Sequence, residues 1–152
     1  MGALAQFVHI SIVAQDWRRL AQFYQQVFGC IPVPPDRNLS GDWLEKATGV
    51  QGAEIQGVHL RLPGCGGQGP TLEIFQYNTQ KESREIAINR PGFAHIAFAV
   101  DHVEVAQDAV IAAGGRRIGE LVTVQIPGAG VITFVYVADP EGNIIELQHW
   151  GD

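Results

Sequence analysis

Phe7 to Asp16 reads FVHISIVAQD and Phe93 to His102 reads FAHIAFAVDH, so superposing His9 on His95, 86 positions later, also superposes Phe7 on Phe93, Ile10 on Ile96, Val13 on Ala99 and Asp16 on His102. The two halves also close alike. Thr71 to Tyr77 (TLEIFQY) and Asn143 to His149 (NIIELQH) are apolar strand patterns that each carry one acid, Glu73 or Glu146. A half of this kind has an apolar sheet face that it does not bury alone, which is a physical reason for two to occur together. One histidine and one carboxylate per half are also the material for a pseudo-symmetric metal site.

Taken in order, Phe7 to Val13 alternates with a period of two, which sets Phe7, His9, Ser11 and Val13 on one face and Val8, Ile10 and Ile12 on the other. Asp16 is placed to cap a helix whose apolar positions are Trp17, Leu20, Phe23, Tyr24, Val27 and Phe28, and Gly29 ends it. Cys30 to Val33 reads as a short strand stopped by Pro34-Pro35. Asp36 to Gln56 is the least regular part, with one helical turn expected over Ser40 to Ala47, and segments of this kind often cover binding sites. Gly57 to Leu62 alternates again and puts His59 and Arg61 on one face. The run PGCGGQGP, Pro63 to Pro70, is a loop; no Gly-Lys-Ser/Thr follows it, so it is not a phosphate loop. Asn78 to Arg90 is a polar linker with at most one helical turn.

The pattern then restarts: strand Ala94 to Val100, helix Val103 to Ala113, strand Arg117 to Val124, turn Pro127 to Gly130, strand Val131 to Ala138, the tight turn DPEGN, and strand Ile144 to Gln148. Each half is strand, helix and three strands. The expected fold is therefore α+β, one domain over residues 1–152 made of two tandem βαβββ modules, at 6–78 and 91–150, whose mixed sheets curve into a cup.

With 152 residues, 46% hydrophobic and 17% charged, the chain has enough apolar material for one folded core. A formal net charge of −6, with Arg18-Arg19 and Arg116-Arg117 as the only adjacent basic residues, argues against nucleic acid as a partner, because that affinity needs a concentrated basic face. No window has the length of a membrane span and no leader pattern opens the sequence, so a cytoplasmic protein without a membrane partner is expected. Cys30 and Cys65 lack metal-ligand spacing and are expected to be free thiols.

Parity decides what the histidines and acids face. Val8, Ile10, Ile12 and their counterparts Ala94, Ile96 and Phe98 lie toward the helices, so His9 and His95 point the other way. Glu73 shares a face with Thr71, Phe75 and Tyr77, and Glu146 with Ile144 and Gln148. A buried carboxylate costs several kcal/mol unless it is paired or ligates a cation. His9, Glu73, His95 and Glu146 are accordingly the candidate ligands of one divalent first-row ion, a choice open among Ni, Zn, Co, Mn and Fe. His59, His102 and His149 have no repeat partner in the sequence and receive no role.

FVHISIVAQDWRRLAQFYQQVFG, PTLEIFQY, PGFAHIAFAV and the closing ADPEGNIIEL together resemble the vicinal oxygen chelate superfamily, the group of glyoxalase I, bleomycin-resistance proteins, methylmalonyl-CoA epimerase, fosfomycin-resistance enzymes and extradiol dioxygenases. The resemblance covers nearly the whole chain. It implies a homodimer and a small-molecule substrate, and it carries the four metal positions onto His9, Glu73, His95 and Glu146. In such enzymes the ion chelates two neighbouring oxygens and a metal-bound carboxylate serves as base. That agrees with general chemistry, since polarising a carbonyl acidifies the adjacent C–H while a carboxylate shuttles the proton. Glu146 is the first candidate for base and Glu73 the second.

A His, Glu, His, Glu set is similar to that of glyoxalase I, a lyase and isomerase. Ring-cleaving dioxygenases and fosfomycin enzymes resemble a set of two histidines and one glutamate, and bleomycin-binding members lack a metal set. The first strand departs from glyoxalase I in lacking an arginine near Ile12. Two kinds of function follow: a metal-dependent lyase or isomerase acting on a small carbonyl compound, and a non-catalytic protein that sequesters an amphipathic ligand among Trp43, Phe75, Tyr77 and Tyr136. Arg61 and Arg18 are the candidates for meeting an anionic substrate.

Overall fold

The computed structural model describes residue 2 and residues 4–151. It comprises two compact units that divide between Glu82 and Ser83. The first contains β1 (His9–Val13), α1 (Trp17–Phe28), β2 (Ile31–Ser40), α2 (Asp42–Thr48), β3 (Glu54–Arg61) and β4 (Thr71–Tyr77). Its sheet runs in the order β1-β4-β3-β2, with β1 parallel to β4 and the other pairs antiparallel. The second contains β5 (His95–Ala99), α3 (Val103–Ala112), β6 (Arg116–Arg117), β7 (Val122–Ile126), β8 (Gly130–Ala138) and β9 (Ile144–Gly151). Its sheet runs β5-β9-β8-β6, and β7 also pairs with β8. The expected mixed α+β class is what the chain adopts.

Helix α1 starts where Asp16 Oδ1 accepts from the Arg19 backbone N–H at 3.1 Å, and it stops at Gly29, whose φ of 67° is a left-handed conformation that glycine enters without a side-chain penalty. Its buried stripe of Trp17, Leu20, Ala21, Phe23 and Tyr24 recurs at helical spacing. The sheet supplies Val58, Leu60, Leu72 and Ile74 to the same core, all at most 3% exposed. These positions alternate with His59 and Glu73, so packing the helix on one face commits both polar groups to the other. In the second unit Val110 of α3 and Val135, Val137, Ile145 and Leu147 of β8 and β9 are fully buried.

Several expected boundaries are corrected. The strand beginning after Gly29 is not stopped by the two prolines. It continues to Ser40, with its pairing to β3 interrupted between Val33 and Arg37, because prolines without an N–H are accommodated on an edge strand where the ladder is broken. The supposedly irregular stretch after Asp36 is thus partly strand, followed by α2 and by a β3 that begins at Glu54. No helix forms in the linker, where only a turn closes from Arg90 N–H to the Ala87 carbonyl. The strand expected over Arg117 to Val124 is two pieces, β6 and β7, both antiparallel to β8. That break matches the one in β2, so the repeat extends to its interruption.

Both cysteines are free, Cys30 buried and Cys65 exposed. Burial pushes the Cys30 thiol up to about 11, partly offset by a backbone hydrogen bond, so little of it is thiolate at pH 8. Titration of the native protein with a thiol–disulfide reagent is expected to give one fast equivalent, from Cys65, and a second only on denaturation. Two fast equivalents would show that the α1–β2 corner opens readily.

Candidate metal centre

Glu73 lies at the centre of a three-strand row. Register places Ser11 of β1 beside it on one side and His59 of β3 on the other. Ser11 Oγ donates to Glu73 Oε1 at 2.8 Å, while Glu73 Oε2 faces His59 Nε2 at 3.1 Å and His9 Nε2 at 3.5 Å. His9 belongs to the next row, directly opposite Thr71, and reaches the acid diagonally. His59 Nδ1 lies 2.9 Å from Thr71 Oγ1, so its second nitrogen is also held. The His9 and His59 rings meet edge to face with centroids 5.3 Å apart.

The second unit repeats the row with other residues. Ala97 and Tyr136 flank Glu146 in the places of Ser11 and His59. His95 Nε2 lies 3.3 Å from Glu146 Oε2, and the Tyr136 ring stands 5.2 Å from the His95 ring. Each half therefore brings its expected histidine to its expected acid. Among the described residues no hydroxyl holds Glu146 as Ser11 holds Glu73, because alanine stands at the equivalent position.

These contacts fit a metal. Donors on one ion at about 2.1 Å lie about 3.0 Å apart when cis in an octahedron and about 3.4 Å apart in a tetrahedron. The separations of 3.1 Å for His59 and 3.3 Å for His95 fall in that range, and the 3.5 Å of His9 lies just above it. The side chains of Glu73 and Glu146 are 13% and 14% exposed, where an uncompensated carboxylate is costly. Burial lowers the proton affinity of His59; the Glu73 charge opposes this, and Arg37 and His9 reinforce it. A neutral imidazole is the form that ligates. Burial, with the Glu146 charge second, raises Tyr136 and keeps the phenol protonated.

His59 is the functional candidate the sequence reading missed. Its signal lay in the glycine-rich loop: Leu62 N–H bonds the Pro70 carbonyl at 3.1 Å, and counting outward from that closure pairs His59 with Glu73. Its counterpart in the repeat is Tyr136, a change of residue type that alignment by identity does not find.

Phe75 touches the His59 ring at 5.8 Å and, with Tyr77, packs against Leu44, Ala53 and Ile55. Tyr136 sits beside His95, as above, and beside Phe134 at 5.7 Å. Trp43 is 56% exposed on α2. Arg61 is tied to the Gly69 carbonyl of the loop, and Arg18 lies over the Trp17 ring at 4.4 Å.

The chain is similar over nearly its whole length to known proteins. A probable lactoylglutathione lyase of Vibrio parahaemolyticus is 27% identical over 142 residues, covering 93% of this chain and 88% of the relative. A glyoxalase family protein from Bacillus cereus superposes with a TM-score of 0.82 at 18% identity, covering 99% of this chain and 97% of that one. A fosfomycin resistance protein, FosX, from Listeria monocytogenes, crystallised with Mn(II) and sulfate, has a TM-score of 0.53 at 13% identity, covering 99% and 95%. At those identities the two structures speak for the fold alone. The family model that matches spans residues 6–147, with His9, Glu73, His95 and Glu146 all inside it, and by that match the chain belongs to the glyoxalase/bleomycin resistance protein/dioxygenase superfamily.

Proposed function

We propose that this protein is a metal-dependent lyase or isomerase of glyoxalase type, with His9, Glu73, His95 and Glu146 as ligands of one divalent ion and Glu146 as the base. The observation that carries the proposal is the duplicated imidazole–carboxylate pair, at 3.5 Å in one half and 3.3 Å in the other. The similarity to a probable lactoylglutathione lyase supports it, as does the Mn(II) bound by a protein of like fold. When bound, a divalent ion supplies Lewis acidity to the vicinal oxygens of a small carbonyl substrate.

The residues divide the remaining work unequally. Glu73, fixed by Ser11 on one oxygen and faced by two imidazoles on the other, is a static ligand. Glu146 faces His95 and, among the described residues, lacks the hydroxyl anchor that Ser11 gives Glu73, which suits a base that accepts a carbon-bound proton and returns it at a neighbouring position. Tyr136, its register partner, is held protonated and so stands there as a neutral phenol rather than as an anionic ligand. A fourth ligand, Glu73, argues against a ring-cleaving dioxygenase, whose set resembles two histidines and one glutamate.

Metal analysis of protein purified without chelator tests the proposal. About one equivalent of Ni, Zn, Co, Mn or Fe is expected in the parent, lost in Glu73→Gln and weakened in Glu146→Gln. A parent that takes up none, even after soaking with each ion, would leave the sequestering function, in which ligand binding is indifferent to metal.

A further inference from the structure

We propose that His9, His59 and Glu73 form a three-donor metal site complete within the first half of the chain, with His59 as a ligand where the second half has Tyr136. The inference rests on the metal-dependent reading above and specifies where the ion is held most firmly.

Three observations meet here. The ligand atoms of His9, His59 and Glu73 all lie within 4.8 Å of one another, and both Nε2 atoms approach the same carboxylate oxygen. The His59 contact is the shorter of the two, 3.1 Å against 3.5 Å, so a site that includes His9 on geometric grounds includes His59 as well. The outer positions are filled too: Thr71 Oγ1 stands at His59 Nδ1 and Ser11 Oγ holds Glu73 Oε1, which is how ligating imidazoles and carboxylates are usually oriented. Thr71 is itself 7% exposed, so water competes poorly for that hydroxyl.

The arrangement fixes a proton as well. With metal at Nε2, the His59 proton sits on Nδ1 and is donated to Thr71 Oγ1; without metal, Nε2–H donates to Glu73 Oε2 and the threonine hydroxyl donates to Nδ1. The tautomer exchanges and the ring keeps its place. Adding an imidazole to a carboxylate site shifts preference from Mn toward Co, Ni and Zn, and the ion stays with the first half when the second is emptied.

Cobalt(II) titration of the full-length protein tests this, read by electronic absorption and by the exchangeable, hyperfine-shifted imidazole N–H signals in proton NMR. The parent is expected to show one such signal for each of His9, His59 and His95. His59→Gln should lose one and bind Co(II) more weakly by more than the about 10–100-fold that loss of an orienting partner gives. Thr71→Val, which keeps the imidazole and removes its holder, should cost about 10-fold. A His95→Ala/Glu146→Gln double variant should still bind about one equivalent, and adding His59→Gln should abolish that binding. Circular dichroism verifies that each variant is folded, and the threonine variant carries the test if His59→Gln is not. An unchanged signal set and affinity in His59→Gln, or a double variant that binds nothing, overturns the inference and leaves the metal-dependent reading standing. A parent that binds no Co(II) overturns both.

Discussion

Glu146→Gln is expected to lower turnover of a methylglyoxal hemithioacetal by about 10²–10⁴-fold, the usual contribution of a positioned general base, while the protein remains folded and able to take up metal. Glutamine keeps the shape and one oxygen that can still face the ion, and it lacks only the ability to accept and return a proton. Glu73→Gln should behave differently. Its acid is the shared neighbour of Ser11, His9 and His59, so its loss removes the anion around which three groups are arranged and lowers affinity for the ion before it lowers turnover. Excess metal should therefore restore part of the rate in Glu73→Gln and none in Glu146→Gln. Rates measured across a metal titration, with acyl-CoA epimerisation assayed in parallel, check this. If Glu146→Gln were rescued by metal, or slowed only a few-fold, the base would have to be sought elsewhere.

Gly57→Ala is expected to destabilise the protein by about 3 kcal/mol or more, an overpacking at the top of the usual range. Gly57 lies in the middle of β3, between Ile55 and His59 on the face that carries Glu73, and its partner in register is Phe75. A methyl group there would overlap the Ile74 carbonyl oxygen and stand 2.7 Å from Phe75 Cδ1. The carbonyl belongs to the backbone of β4, so relief requires moving a strand rather than a side chain. For a chain of this length the cost corresponds to a fall in midpoint of about 6–12 °C, measurable by calorimetry or circular dichroism. A midpoint within about 2 °C of the parent would mean that β3 and β4 tolerate a shift that the close approach argues against. Because His59 is two residues away on the same face, the variant should also weaken metal binding.

The elements that could be read from the sequence are those whose burial pattern has a period. Trp17, Leu20 and Tyr24 mark α1, and the alternation through Val58, His59 and Leu60 marks β3 and the face on which its histidine lies. Where edge pairing decides, the pattern is silent. The residues of β2 after the prolines, Asp36 to Ser40, alternate between exposed and half-buried but hold one apolar side chain, Leu39, so no hydropathy pattern marks them, and they are strand because β3 offers them partners. Similarly, Val122, Val124 and Ile126 are each about two-fifths exposed, and their assignment to a strand separate from β6 depends on pairing with β8.

The candidate site divides along the same line. Repetition in one dimension was enough to single out His9, Glu73, His95 and Glu146, because each sits at a matching point of a matching segment. His59 could not be singled out in that way, since its counterpart is Tyr136 and the equivalence exists only across strands. The sequence by itself determined which side chains alternate onto the polar face of each strand, because that follows from a backbone period of two. Only the tertiary structure decided which of them meet. Ser11, Glu73 and His59 are brought into one row by hydrogen-bonded register between strands distant in the chain, and it is that register that turns a repeated histidine and acid into a three-donor cluster.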